Sequence, residues 1–335
     1  MKIPRQATAL CLGLAILTGL FLPLGSGGPA VMAADTDPGI EQRLTDLERA
    51  KRLGDGARIF RRACAACHGV AGTGDGPGAA DLDPPPRDLT TRRFRFRTTP
   101  DGAAPRPEDL KRVIREGLPG SAMPGFGDLF SDNEMTGLVA FIYSLQPWLT
   151  PGDAPPEALA FSPVPLADPA AIEDGRALFL LVGCWRCHGL DGSGRGPSAR
   201  GLTDEEERPI RSTDFRYDPF KGGHAPEAVV RALRTGLNGT PMPSYDEAML
   251  ISRSDTASAV ALDGQIPSAA QALIESFIAD SPTREALDSM TDEERAELRD
   301  RRVAALAHYV LSFDRRGRTG SKLFHRKPEI EARKR

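Results

Sequence analysis

The string Cys64-Ala65-Ala66-Cys67-His68 recurs 120 positions later as Cys184-Trp185-Arg186-Cys187-His188. Two thiols three positions apart on a tight turn reach both vinyl groups of one porphyrin, and the His that follows then lies under the metal. Cys-x-x-Cys-His is the attachment signature of c-type haem. Three other chemistries use paired cysteines: one zinc site pooled from both pairs, a thioredoxin-like redox dithiol, and a structural disulfide within each pair. None explains a His directly after both pairs, so two covalently bound haem c groups are expected, held by Cys64, Cys67, Cys184 and Cys187.

An electron-carrying haem iron usually takes two protein ligands. His68 and His188 supply one each. Met123 lies 55 residues beyond His68 and Met242 lies 54 beyond His188, in matching loops: Gly-Leu-Pro-Gly-Ser-Ala-Met-Pro and Gly-Leu-Asn-Gly-Thr-Pro-Met-Pro. A Met in a Pro-bounded loop is poorly placed for ordinary packing, so the expected metal ligands are His68 with Met123 and His188 with Met242. Such ligation gives a low-spin iron of raised potential, because a soft neutral thioether favours the ferrous state. It leaves no open position for oxygen, peroxide or nitrite. Met135 reads as helix core and Met249 as part of an insertion. His224 has no His counterpart in the first half, His308 sits on the last helix, and His325 lies in a basic tail.

The elements that position these residues repeat as well. Gly72-Thr73-Gly74-Asp75-Gly76-Pro77 matches Gly192-Ser193-Gly194-Arg195-Gly196-Pro197, and Phe94-Arg95-Phe96 is aligned with Phe215-Arg216-Tyr217. Pro107 and Pro226 each open a helix that stops at Gly117 or Gly236, the expected Pro-first, Gly-last asymmetry. Each half closes with an apolar helix, around Leu138–Leu145 and Val303–Phe313. Ser131 to Glu134 and Thr291 to Glu294 read as capping boxes that start these helices. From Met123 to Phe141 is 18 positions, but from Met242 to Tyr309 is 67. The second half therefore carries an insertion at about 249–300, with a helix near Ser268–Asp280. It reads either as surface decoration or as a docking element. Seven prolines in 147–169 mark an extended, semi-rigid linker. The segment Arg92-Arg93-Phe94-Arg95-Phe96-Arg97 has two readings: a solvated basic loop, or Phe94 and Phe96 on a haem rim with an Arg on a propionate. It is too short and isolated to indicate nucleic acid.

At 335 residues the chain has room for two or three domains. Aromatics make up only 6% of it, against 34 Gly and 29 Pro, which suits long loops around a core that is partly cofactor. Lys2 and Arg5 precede an apolar run from Ala7 to Leu24, and Val31-Met32-Ala33 offers a cleavage site, so residues 1–33 read as a signal peptide for export to the periplasm. The alternative is an uncleaved anchor, although Pro23 and Gly25 break the run short of the ~20 residues a span needs. Cys11 falls inside this leader, which leaves four cysteines for two haems. Residues 315–335 hold nine Lys or Arg against Glu329 and Glu331. That tail reads as a solubilising end, or as a tether to an acidic partner or, by peripheral association, to an anionic membrane surface.

With these motifs together, the sequence resembles the class I cytochrome c family in two tandem copies over about residues 40–314. The resemblance implies a mostly α fold of two haem domains joined by a Pro-rich linker: domain 1 at 34–146, the linker at 147–170, domain 2 at 171–314 and the basic tail at 315–335. It also implies that terminal helices cross in each domain, with Gly56 and Phe60 facing Phe141, and Gly175 and Phe179 facing Tyr309. The loop from Pro84 to Thr90, followed by Phe94–Pro100, is similar to periplasmic cytochrome partners of respiratory dehydrogenases and molybdenum reductases. The insertion departs from the family pattern. The implied function is one-electron transfer between redox partner proteins, such as a dehydrogenase, reductase or oxidase complex. The rival is a haem enzyme, a two-haem peroxidase or a sulfur-compound oxidoreductase, which would need an open or displaceable ligand position. A haem sensor or assembly factor is a third reading, but no signalling domain follows.

Overall fold

The computed structural model describes residues 38–148, 156–255 and 266–316, and among these residues are ten α-helices, two short 3-10 helices and loops. The expected leader, part of the linker, residues 256–265 of the insertion and the tail beyond Arg316 lie outside the described residues. Helices α1 (Pro38–Ala63), α2 (Ala65–His68), α3 (Pro107–Glu116) and α4 (Asp132–Ser144) form the first half. Helices α5 (Pro169–Leu181), α6 (Trp185–His188), α7 (Pro226–Thr235), α8 (Ser268–Ala279), α9 (Arg284–Ser289) and α10 (Asp292–Ser312) form the second. Among the described residues there is no strand, only one isolated bridge between Thr203 and Pro209. None of these helices is long and apolar enough to cross a membrane. The start of α1 up to Asp46 is a unit of its own, with an exposed Gln42–Asp46 side-chain hydrogen bond. Both haem-motif halves lie in the second unit, from Leu47 onward.

The capping signals hold. The Glu134 amide donates to Ser131 Oγ at 3.4 Å, while the Ser131 amide donates to Glu134 Oε2 at 2.9 Å. Thr291 and Glu294 repeat the exchange at 3.2 and 2.8 Å. Each reciprocal pair satisfies two amides that a helix start leaves without partners. Helices α3 and α7 open on Pro107 and Pro226 and stop at Gly117 and Gly236, whose φ values of +70° and +67° suit glycine.

Terminal helices cross at glycine in both halves. A Cβ on Gly56 would sit 2.0 Å from the Gly137 carbonyl oxygen, and one on Gly175 would sit 2.1 Å from that of Ala305. Beside each crossing an aromatic pair locks the angle: Phe60 with Phe141 at 5.2 Å between centroids, and Phe179 with Tyr309 at 5.4 Å. The closing helices therefore bury their apolar faces where the repeat predicts.

Two expectations are corrected. The insertion is not mere surface decoration, since its described part builds the core of the second half. Met249, Ile251, Ile266, Ala270, Ile274 and Ile278 are buried in one core with α5, α7 and α10. Arg302 of α10 fastens it: Nη1 donates to the carbonyls of Met249 (2.7 Å) and Ile251 (3.0 Å), and Nη2 to Ser281 Oγ (2.8 Å). Nor is the arginine-rich segment a solvated loop. Arg97 is fully buried and donates to the Thr235 carbonyl of the second half at 2.7 Å. Arg93 pairs with Glu205 at 2.7 Å and also with Glu206, and Arg95 lies 3.7 Å from Asp204. Asn238 accepts from the Gly102 amide at 3.2 Å. The described part of the linker is stitched to both halves: Leu159 donates its amide to Thr98 O at 2.8 Å, and Arg234 donates to Ala160 O. The start of the expected tail is docked too, with the Arg315 amide donating to Arg216 O at 3.1 Å.

Candidate haem sites

Each Cys-x-x-Cys-His string is one helical turn, α2 or α6, and a glycine loop follows it. In the first half the Gly74 amide donates to His68 O at 2.8 Å, and the Leu89 amide to Gly72 O at 2.7 Å. In the second the Gly194 amide donates to His188 O at 2.8 Å, and the Phe215 amide to Gly192 O at 2.8 Å. The residues brought to the His by these clamps offer it a carbonyl. His68 Nδ1 donates to Arg87 O at 2.9 Å, and His188 Nδ1 to Thr213 O at 3.2 Å. This fixes the tautomer and leaves Nε2 of each ring to bind a metal. Burial holds both imidazoles below the usual His range, which keeps them neutral, the form a metal ligand needs.

These clamps revise one alignment. Leu89, not Phe94, occupies the place of Phe215. Phe215 stacks on His188 at 4.2 Å between centroids, and among the described residues no ring stacks on His68. The Phe-Arg-aromatic similarity of residues 94–96 and 215–217 is thus not a structural equivalence.

The methionine loops are built alike. The Leu118 amide donates to Met123 O and the Leu237 amide to Met242 O, both at 3.0 Å. The Met123 amide donates to Ser121 Oγ and the Met242 amide to Thr240 Oγ1, both at 3.3 Å. One largely apolar cavity carries Cys64, Cys67 and His68 together with Met123, and Phe94 and Phe96 also line it. In the second half, Met242 and Tyr245 pack on the buried core; burial and the adjacent Cys184 and Cys187 push the Tyr245 hydroxyl up. Met135 is core, and His224 pairs with Asp314 at 2.7 Å. His308 Nε2 donates to Pro165 O at 2.8 Å, and His325 lies outside the described residues.

The cysteine alternatives fit poorly. None of the four is in a disulfide. Among the described residues no three or more His, Cys, Asp or Glu gather as a metal donor set, so the two pairs do not pool into one zinc site. Burial pushes Cys64 up to about 11 and Cys184 up to about 12, opposite to what a reactive redox dithiol requires. A porphyrin fits the first cavity better. Its wall is apolar, yet Nη1 of Arg87 and Nε of Arg95 are buried there without a hydrogen-bond partner. Burial, then neighbouring Arg95, pulls Arg87 down to about 10. Buried donors of this kind call for an anion, and haem carries two carboxylates. Sequence reasoning missed Arg87 and Lys221 on this cavity, which belong to no repeated spacing. It also missed Tyr245 near Cys184 and Cys187, although Tyr245 stands three past Met242 as Phe126 stands three past Met123.

Fold and sites together define a c-type cytochrome with two haem domains. Residues 51–142 match the family described as cytochrome c oxidase, cbb3-type, subunit III, and residues 172–262 match the family described as cytochrome c. The chain is a tandem member of the cytochrome c family. These domains imply two covalent haem c groups and haem-based electron transfer. A chain of the Kuenenia stuttgartiensis reducing HAO-like protein complex is similar in structure: TM-score 0.59 and 28% identity, over 78% of this chain and 96% of that one. Among curated proteins, none matches.

Proposed function

We propose that this chain is an exported, periplasmic two-haem electron-transfer protein that passes single electrons between respiratory redox partners. Haem 1 is held by Cys64 and Cys67 and ligated by His68 and Met123; haem 2 is held by Cys184 and Cys187 and ligated by His188 and Met242. The observation that carries this reading is the single apolar cavity that presents Cys64, Cys67 and His68 together with Met123. Each haem iron, when bound, supplies one-electron redox chemistry. The residues of the chain do the rest. Arg87 O and Thr213 O orient the two imidazoles, the clamped loops hold the Met side chains in place, and Phe94, Phe215 and the core aromatics keep water from the sites. A Met at each second position closes the iron to small oxidants, which favours a carrier over a peroxidase or a sulfur-compound oxidoreductase. The similar chain belongs to a redox complex, and on that ground this protein serves as an electron-transfer subunit or docks on one. The leader at 1–33 supports export.

The test is substitution at the two loops. Met123→Ala should abolish the weak near-infrared band of Met-to-iron ligation at haem 1 and lower that haem's potential. Met242→Ala should do the same at haem 2 alone. A Met→Ala variant whose spectrum stayed unchanged would assign the ligand to another residue.

A further inference from the structure

The first haem cavity is not made by the first domain alone. A short loop of the second domain, Pro219–Gly222, lies over it. A Cβ on Gly120, in the Met123 loop, would stand 2.4 Å from Pro219 Cγ, and a Cβ on Gly222 would stand 2.9 Å from Phe96 Cδ1. Phe220 anchors this loop in its own domain by stacking on Phe215 at 5.6 Å. Between those contacts Lys221 joins the lining of the haem 1 cavity.

Lys221 is half-buried, and its ammonium has no hydrogen bond or ion pair among the described residues. It shares the cavity with Arg87 and Arg95, whose Nη1 and Nε also lack partners. Nearby acids do not offset three cations. Asp204 is 3.7 Å from Arg95 but engaged more closely by Arg208 at 2.9 Å, and Glu206 is taken by Arg93 and Arg208. Asp83 and Asp218 act on Lys221 only at longer range, and burial is the stronger influence on it. Three half-buried cations in an apolar wall are costly unless an anion joins them.

We infer that Lys221, delivered across the domain interface, is a third cation at the propionate end of haem 1, so that the second domain sets the potential of the first domain's haem. This rests on haem 1 occupying the cavity that holds His68 and Met123. A nearby positive charge favours the ferrous over the ferric state. Removing it lowers the potential of haem 1 and leaves haem 2 alone.

The experiment is a spectroscopically resolved redox titration of the full-length holoprotein carrying Lys221→Met, Lys221→Arg or no substitution. Covalent haem content and the near-infrared bands report folding and ligation separately. At fixed ambient potential, Lys221→Met should reduce the ferrous-to-ferric ratio of haem 1 by about tenfold, which is about 59 mV for one electron. Haem 2 should not move, and Lys221→Arg should restore haem 1. An unchanged haem 1, equal shifts at both haems, or failure of Arg to restore the potential would overturn the inference. A wild type lacking the haem 1 near-infrared band would instead count against Met123 ligation, and the effect of the charge would still be read from the potential.

Discussion

The two halves build the same haem clamp but place their extra loop residues on opposite sides of it. Between Pro77 and Leu89 the first half has 12 positions, and between Pro197 and the equivalent Phe215 the second has 18. Past the clamp the order reverses: 18 positions from Leu89 to Pro107 and 11 from Phe215 to Pro226. The two longer stretches then meet. Arg93 and Arg95, after the clamp in the first half, face Glu205, Glu206 and Asp204, before the clamp in the second. The charged part of the interface is thus made where the repeat breaks, while the Cys-x-x-Cys-His turns and the Met loops are made where it holds. A second difference follows the same logic. The first core is the smaller and its cavity takes Lys221 from its neighbour, whereas the second is enlarged by its own insertion.

The largest expected effect tests what the halves share. Gly56→Ala and Gly175→Ala force a Cβ into a carbonyl oxygen at each helix crossing, and each should cost about 3 kcal/mol by denaturant unfolding of the holoprotein, the upper end for overpacking. Gly175→Ala should cost more, because Tyr309 Cβ also stands 2.8 Å away. Equal or negligible losses would mean that the crossings yield more easily than their geometry implies.

The next effect separates the halves. Arg302→Met removes the donor to two carbonyls and a hydroxyl in the second core. It should destabilise that domain by roughly 3 kcal/mol, and the spectrum of haem 1 should not change in the folded protein. A variant as stable as wild type would show that the insertion does not depend on this clamp.

The smallest effects fall on the interface. Arg97→Met leaves the buried Thr235 carbonyl without its donor and should cost about 2 kcal/mol, splitting a joint thermal transition into two. Arg93→Met removes pairs that are partly exposed and should cost about 0.5 kcal/mol, less at high salt. Calorimetry reads both. An Arg93 effect exceeding that of Arg97 would reverse the ranking that burial predicts.

What the sequence made legible follows from how far each interaction reaches. The Cys-x-x-Cys-His turns, the Met loops, Pro107 and Pro226, and the capping pairs at Ser131 and Thr291 depend on residues a few positions apart, and repetition doubled the signal. Long-range partnerships left no such trace. Arg97 meets Thr235, Arg302 meets Met249, and Lys221 meets a cavity of the other domain, each across a separation that no local spacing encodes. The Phe94–Phe215 alignment failed for a related reason. Two Phe-Arg pairs at nearly the repeat distance hid a shift in loop length, which appeared only when the amides of Leu89 and Phe215 were found on Gly72 and Gly192.

On the proposed reading, both irons are closed by a His and a Met. Low-temperature electron spin resonance of the oxidised full-length protein, with haem counted on the denatured chain, tests it most directly. Two covalent haems and two low-spin ferric signals are expected, each with its near-infrared Met band. One high-spin centre would contradict it and restore the enzyme reading for that haem.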